Sequence, residues 1–152
     1  MFLFFGIVAV TGSYFVQVQE LPWQAFVCAL PVGLLASAIL MVNNVRDLET
    51  DRRAGKRTLA VRLGRARARE VYTAAVAAAY LAAPLPWVLG SMTAWLLLCW
   101  ATIPLAVGVV RVVRTRSDGP ALNRALARTG ATQLAFCVLY SAGILASGGI
   151  AS

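Results

Sequence analysis

Three side chains with oxygen ligands recur at every fourth position near the middle of the chain: Asn43, Asp47 and Asp51. On a helix, this spacing stacks one amide and two carboxylates on a single face, with no basic residue on the same stripe. Mg²⁺ prefers oxygen ligands and commonly bridges one or two protein carboxylates to substrate phosphates. The spacing therefore predicts a magnesium site with Asp47 and Asp51 as ligands. The competing interpretation is a solvated helix end whose charges only form i,i+4 pairs.

Basic residues follow this acidic stripe directly. Gly55 is typical of the residue just after a helix, so the helix that carries the stripe is predicted to end at about Ala54. Lys56 and Arg57 come next, and cations beside a metal neutralise charge on a departing diphosphate. Arg62 is interpreted equally well as a phosphate contact or as a lipid headgroup anchor.

Two further charges lie within the same polar block. Arg46 precedes Asp47 but points about 100° away around a regular helix. It is therefore available to a phosphate, to Glu49 or to a neighbouring helix. Glu49 lies off the stripe and is assigned no ligand role.

Composition places the chain in the membrane. It has 152 residues, of which 60% are hydrophobic and 13% charged, whereas a soluble domain has about a quarter charged. The net charge of +8 raises nucleic-acid binding as a possibility. The positions of the charges argue against it, because all basic residues fall within 46–69 and 111–128, beside apolar segments. This distribution is typical of cytoplasmic loops under the positive-inside rule.

Several chemistries are excluded or disfavoured by residue type. The chain has no histidine, which excludes a histidine base and histidine-ligated zinc or haem. Three cysteines lie within apolar runs and are interpreted as buried small hydrophobic residues: Cys28, Cys99 and Cys137. Four tyrosines are interpreted as membrane-interface anchors in preference to cavity-lining residues: Tyr14, Tyr72, Tyr80 and Tyr140.

The elements that position the polar block are membrane helices. Apolar segments long enough to cross a hydrocarbon core of about 30 Å lie at about 1–18, 21–42, 71–90, 93–113 and 130–150. The predicted fold class is therefore all-α, a multi-pass transmembrane helical bundle. Prolines within the segments are expected to kink the helices, since neighbouring helices satisfy the backbone groups that a proline frees.

Charge also predicts the orientation of the chain. The basic loops 43–70 and 114–129 are expected in the cytoplasm, and the turns at 19–20 and 91–92 outside. The 114–129 loop is interpreted as a solvated connector, with a short interfacial helix after Asp118 as the alternative. The opening residues lack the basic lead of a signal peptide. The numbering is therefore expected to start inside a longer polypeptide.

Residues 43–64, NNVRDLETDRRAGKRTLAVRLG, resemble the second Asp-rich motif of the UbiA superfamily of intramembrane prenyltransferases. They are most similar to the MenA branch, the 1,4-dihydroxy-2-naphthoate polyprenyltransferases of menaquinone biosynthesis. The double asparagine, Arg46 and the GKRTLAVRLG tail are more specific than two acids four residues apart. The opening FLFFGIVAVTGSYFVQ is also similar to the helix that precedes this motif in that branch.

The resemblance implies a nine-helix bundle in the cell membrane, of which residues 1–152 would form the C-terminal half. It implies Mg²⁺ as cofactor, polyprenyl diphosphate as donor and 1,4-dihydroxy-2-naphthoate as acceptor. Asp47 and Asp51 would hold the metal through the diphosphate. The diphosphate and its metal would further be contacted or supported by Asn43, Asn44, Arg46, Lys56, Arg57 and Arg62.

The family's first Asp-rich motif has no counterpart in this sequence. The polypeptide alone is therefore expected to be inactive, and the missing N-terminal half to be its partner. The alternatives are a prenyltransferase for another aromatic acceptor and a non-catalytic or half-enzyme membrane subunit. A transporter is disfavoured because the acids lie at a helix end and the apolar runs hold no acidic residue.

Overall fold

The computed structural model describes residues 2–150, which contain helices and no β-strand. Met1, the first residue of the predicted segment 1–18, lies outside the described residues. A π-helical stretch, Phe2–Val8, leads directly into α1 (Ala9–Val18). The remaining elements are α2 (Trp23–Arg46), α3 (Leu48–Arg53), α4 (Leu59–Leu63), α5 (Arg65–Ala82), α6 (Leu85–Val88), a 3₁₀ segment (Ala94–Thr102), α7 (Ile103–Thr115) and α8 (Gly119–Ala146).

The prediction of an all-α membrane bundle is confirmed. Four helical stretches are long and apolar enough to cross a membrane: Trp23–Arg46, Arg65–Val88, Ala94–Thr115 and Gly119–Ala146. The stretch Phe2–Val18 is also apolar but shorter. Helix α2 lies at the centre of the bundle and packs against α5, α8 and the π-helical stretch.

Two helices extend beyond the apolar segments predicted from the sequence. Helix α5 begins at Arg65, before the segment predicted from 71, and α8 begins at Gly119, before the segment predicted from 130. Asp118 starts α8, since its side chain accepts a hydrogen bond from the Ala121 N–H at 3.1 Å. The predicted connector 114–129 is therefore mostly helix. Arginines on an exposed helix face end an apolar window but do not interrupt the backbone hydrogen bonds.

Prolines shape the helices without separating them. Pro31 lies inside α2, which continues past it. Pro104 has no N–H, so it cannot donate to the carbonyl of Trp100 as a regular helix requires. The Ile103 N–H takes that carbonyl instead, which is the shorter bond of a 3₁₀ helix. This bond closes the 3₁₀ segment Ala94–Thr102, and α7 begins directly after it.

The interior contains neutral hydrogen bonds between helices. The hydroxyl of Tyr72 lies 3.0 Å from that of Thr129, and the hydroxyl of Tyr80 lies 2.6 Å from that of Thr102. Tyr140 donates to the carbonyl of Ala83 at 3.2 Å. These three tyrosines are buried, so their interpretation as interface anchors is wrong. Helix packing has placed each hydroxyl against a polar partner inside the bundle.

Very close backbone contacts complete the interior. A Cβ atom on Gly143 of α8 would lie 2.5 Å from the Trp95 carbonyl oxygen and 2.9 Å from the Leu96 Cα. Small residues allow helices to approach this closely. In a membrane, close van der Waals packing drives helix association, because lipid tails are as apolar as the side chains. The cysteine prediction is also confirmed: Cys28 and Cys99 are buried and Cys137 is half-buried, all three as free thiols.

Candidate metal and phosphate site

The acidic stripe lies at the junction of α2 and α3. The prediction of one helix running to Ala54 is wrong, because α2 ends at Arg46 and Asp47 leaves helical geometry at φ −90° and ψ 7°. The backbone nevertheless keeps its four-residue bonds: Asp47 N–H donates to the Asn43 carbonyl at 3.0 Å, and Asp51 N–H donates to the Asp47 carbonyl at 2.8 Å. Asn43, Asp47 and Asp51 therefore stay one helical turn apart across the break between α2 and α3.

Arg46 pairs with Asp47 at this break. Its Nε donates to Oδ1 of Asp47 at 2.7 Å and its Nη2 to Oδ2 at 2.6 Å. Adjacent side chains on a regular helix point about 100° apart, so this two-bond fork accompanies the local departure from helical geometry. The positions of the stripe hold no basic residue, but the Arg46 guanidinium reaches Asp47 from the adjacent position. The Arg46 fork also holds the pKa of the Asp47 carboxyl below its usual value.

Arg46 also links the stripe to the last helix. Its Nη2 donates to Oδ1 of Asn43 at 2.8 Å, and its Nη1 donates to Oδ1 of Asn123 at 2.9 Å. The expectation that Arg46 could reach a neighbouring helix is confirmed. Asn123 is not identified from the sequence, because no neighbouring residue marks it as functional. It lies near the start of α8. Only the packing of α8 against α2 identifies it.

Asp51 has a different environment. Gly55 adopts φ +69°, in the left-handed region that suits glycine, and α3 ends at Arg53 as the glycine predicts. The turn returns Lys56 toward α3, where its N–H donates to the Asp51 carbonyl at 2.9 Å. The Lys56 Nζ lies 3.2 Å from Oδ1 of Asp51. The Asp51 side chain is 10% exposed and that of Lys56 is 65% exposed.

Glu49 lies off the stripe and has structural contacts. It pairs with Arg65 of α5 at 3.3 Å and with Arg52 at 3.8 Å. Arg65 also donates to the carbonyl of Val45 at 3.1 Å. Glu49 therefore helps to hold α3 against the start of α5.

The other candidate residues make no side-chain hydrogen bond or ion pair to the stripe among residues 2–150. Asn44 is buried within α2, whereas Arg57 and Arg62 are exposed. Helix α4 carries Arg62 and starts at Thr58, whose hydroxyl accepts the Val61 N–H at 3.4 Å. The roles of these three residues in binding phosphate stay predictions.

The two basic segments meet at one end of the bundle. Arg69 of α5 donates to the carbonyl of Arg116 and to the hydroxyl of Ser117, the latter at 3.0 Å. Together with the bond from Arg46 to Asn123, these contacts place residues 46–69 and 116–123 side by side. A shared side of the membrane for both segments is consistent with this arrangement.

The donor set fits a metal that is bound together with phosphate. Within residues 2–150, no group of three or more acids or cysteines lies close enough to hold a metal by itself. Asp47 and Asp51 supply two carboxylates, and Mg²⁺ held by so few protein ligands completes its shell with water and phosphate oxygens. An ionised carboxylate has about four lone-pair positions, so the two bonds from Arg46 leave Asp47 able to accept more.

Several known proteins are similar to this chain in sequence. The UbiA prenyltransferase family model matches residues 1–136. A 1,4-dihydroxy-2-naphthoate octaprenyltransferase of Mycobacterium leprae is 35% identical over 150 residues, which cover 99% of this chain and 50% of the relative. Proteins of the same name from Mycobacterium tuberculosis and Escherichia coli are 39% and 36% identical, covering 97% and 95% of this chain and 49% and 47% of their own lengths. The chain thus spans about half the length of the curated relatives it matches.

Proposed function

The chain belongs to the UbiA prenyltransferase family, and from that premise we propose that it forms part of an aromatic polyprenyltransferase. The donor would be a polyprenyl diphosphate and the acceptor 1,4-dihydroxy-2-naphthoate. The observation that carries the proposal is the pair of carboxylates one helical turn apart at the α2–α3 junction, each with a cation beside it. The acceptor is supported by the names of the relatives, which cover nearly the whole chain.

The proposed reaction exchanges a C–O bond for a C–C bond. The allylic C–O bond of the donor breaks, and diphosphate leaves with the bonding electrons. The ring carbon that bears the carboxylate of the acceptor attacks the allylic cation. The carboxylate then departs as CO₂ and its bonding electrons restore the aromatic ring.

The acidic stripe would hold the metal in this reaction. Asp47 and Asp51 would bind Mg²⁺ together with the diphosphate, and Asn43 and Asn44 would support metal or phosphate. When bound, Mg²⁺ supplies positive charge that stabilises the leaving diphosphate. The lowered pKa of Asp47 keeps that carboxylate ionised and able to serve as a ligand at neutral pH.

Cations of this chain would bind the diphosphate itself. Lys56 contacts Asp51 while most of its side chain is exposed, so its ammonium faces a ligand that approaches from outside the bundle. Arg57 follows it in sequence, and both Arg57 and Arg62 are exposed. Arg46 holds Asp47 and Asn43 in position and would contribute charge next to the phosphates.

The remaining parts of the proposal concern context. The chain is a multi-pass membrane protein, and we propose the cell membrane as its location, with 43–70 and 114–129 on the cytoplasmic side. We expect residues 1–152 alone to show no transfer, because they supply one carboxylate pair and about half the length of the relatives. The other half of such an enzyme would then be the partner.

The proposal is tested in the complete enzyme that contains this chain. Asp47→Asn and Asp51→Asn should each lower prenyl transfer to 1,4-dihydroxy-2-naphthoate by about 10²-fold or more, because each removes charge that stabilises the leaving group. Glu49→Gln is the matched control, since Glu49 lies in the same short helix but off the stripe; its activity should stay within a few-fold of wild type. Equal thermal stability of the three variants would separate chemistry from folding.

Two results would contradict the proposal. Near-normal transfer by both aspartate variants would remove the metal assignment. Transfer to 4-hydroxybenzoate in preference to 1,4-dihydroxy-2-naphthoate, in the same assay, would remove the acceptor assignment and leave the family chemistry intact.

A further inference from the structure

A groove between α7 and α8 is not used by the proposed reaction. One end, of about 160 Å³, is lined by three arginines, Arg116, Arg124 and Arg128, with Val109 among its apolar walls. No acidic side chain lines it. This end of the groove therefore suits an anion.

The groove continues as an apolar channel. An adjoining space of about 380 Å³ shares Val109 and Arg128 with the basic end. Its other lining residues are mostly apolar or small: Pro104, Leu105, Gly108, Ala131 and Thr132. The whole groove thus has one cationic end and one apolar end, which matches an amphiphile with an anionic head.

Helix length places the arginines at the membrane surface. Residues 129–146 of α8 carry no charge and, at about 1.5 Å per residue, rise roughly 27 Å. That length is close to the hydrocarbon thickness of about 30 Å. Arg124 and Arg128 therefore lie where the hydrocarbon core meets the headgroups. On the other wall, the uncharged stretch Ala94–Val110 ends directly before Arg111.

We propose that this groove binds one anionic phospholipid, with its phosphate among Arg116, Arg124 and Arg128 and one acyl chain along the channel past Gly108. Basic pockets between membrane helices are typical headgroup sites. Asp118 is the acid that competes for these cations, and it pairs with Arg116 at 2.8 Å. No ion pair involves Arg124 or Arg128 among residues 2–150, so these two carry most of the charge offered to the lipid.

The test compares lipid retention by the protein purified from its membrane in mild detergent. Native mass spectrometry after mixing with phosphatidylglycerol or phosphatidylcholine should show one phosphatidylglycerol retained in preference. The double variant Arg124→Gln with Arg128→Gln should lower that retention at least about tenfold, because each arginine near the phosphate contributes to headgroup binding. The matched control is Arg111→Gln with Arg114→Gln, which removes two charges from α7 outside the groove and should change retention less than about twofold.

A second variant tests the apolar channel. A Cβ on Gly108 would meet nothing within 4 Å, so a side chain can begin there, and Gly108→Leu extends one into the channel and favours the helix. It should lower phosphatidylglycerol retention severalfold while binding of inorganic phosphate, followed by calorimetry, is unchanged. The proposal is overturned by wild type that retains no lipid, by equal losses in both double variants, or by full retention in Gly108→Leu, which would show that no acyl chain occupies the channel.

Discussion

The polar end of the bundle and its interior are held together by different interactions. At the polar end, charged side chains join the elements: Arg46 reaches Asp47 and Asn123, and Lys56 reaches Asp51. In the interior, neutral hydroxyls and close backbone contacts do so, as at Tyr72 with Thr129. Exposed ion pairs contribute about 0–1 kcal/mol to stability, whereas interior packing defects cost several times more.

This difference separates the residues of the fold from the residues of the site. The exposed cations are available to exchange a protein partner for a phosphate, and losing one leaves the helices in place. The interior contacts have no such freedom, because lipid-exposed helices rely on close packing for their association. Substitutions should therefore act on stability in one region and on activity in the other.

The largest expected effect is at Gly143. Gly143→Ala places a Cβ against the backbone at Trp95 and Leu96, which cannot rotate away as a side chain does. We expect a loss of about 3 kcal/mol in the free energy of unfolding, at the upper end of overpacking effects. Gly130→Ala is the matched control in the same helix, because a Cβ there meets nothing within 4 Å. It should stabilise by about 0.5–1 kcal/mol, since alanine favours a helix interior.

Denaturation of both variants in the same detergent checks this prediction. Opposite signs for the two glycines would confirm that the 3₁₀ segment packs directly on α8. Equal effects would show that the bundle relaxes at Gly143, and the contrast between interior and polar end would then be weaker than proposed.

The next effect concerns activity at Lys56. In the complete enzyme, Lys56→Gln should weaken binding of polyprenyl diphosphate by about 10- to 100-fold, since hydrogen bonds to charged groups are worth about 1.5–3 kcal/mol. The melting temperature should fall only slightly, because the glutamine amide can still donate to the nearly buried Asp51 carboxylate but does not replace the charge of Lys56. Arg53→Gln removes one exposed charge from the end of α3 and serves as the control, with less than about a threefold effect. A Lys56→Gln variant with a much lower melting temperature but normal diphosphate binding would assign Lys56 to the fold and not to the site.

The sequence predicts that the interior is a bundle of membrane helices, and it predicts the spacing of the polar side chains at the end of that bundle. Apolar segment lengths are sufficient for an all-α membrane bundle, and the four-residue period of Asn43, Asp47 and Asp51 persists as backbone bonds. Helix ends are predicted less well. Helices α5 and α8 begin at Arg65 and Gly119. A hydropathy window does not detect these starts, because the first turns of both helices contain charged or polar residues.

Long-range contacts account for the remaining differences. The bond from Arg46 to Asn123 joins residues 77 positions apart, and no local pattern at Asn123 indicates it. The tyrosine hydroxyls likewise find partners on other helices, so their burial depends on how the helices pack. Local spacing specifies which side chains share a face, but packing decides what that face meets.

A smaller effect is expected at Tyr72. The Thr129 hydroxyl donates its proton to the Ala125 carbonyl at 2.8 Å, so Tyr72 must be the donor in their 3.0 Å bond. Tyr72→Phe should lower the free energy of unfolding by about 0.6–1 kcal/mol and leave prenyl transfer unchanged. A comparison of unfolding and turnover in one preparation tests both parts. Lost turnover at normal stability would place Tyr72 in the reaction and blur the division between the two regions.

The smallest effect is a pH dependence at the polar end. Arg46 lowers the pKa of the Asp47 carboxyl, so their pairing stabilises the fold above the unfolded-state pKa of about 3.9 and is lost as pH falls through the lowered folded-state pKa. Both side chains are partly exposed, at 26% and 32%, which limits the contribution to under about 1 kcal/mol.

Arg46→Gln should raise the midpoint of the Asp47 titration, which can be followed by ¹³C NMR of labelled aspartate. Arg52→Gln, which removes one of the two partners of Glu49 instead, should leave that midpoint unchanged. A midpoint that ignores Arg46 would mean that the fork does not control the charge of Asp47, and the polar end would lose its clearest electrostatic distinction from the interior.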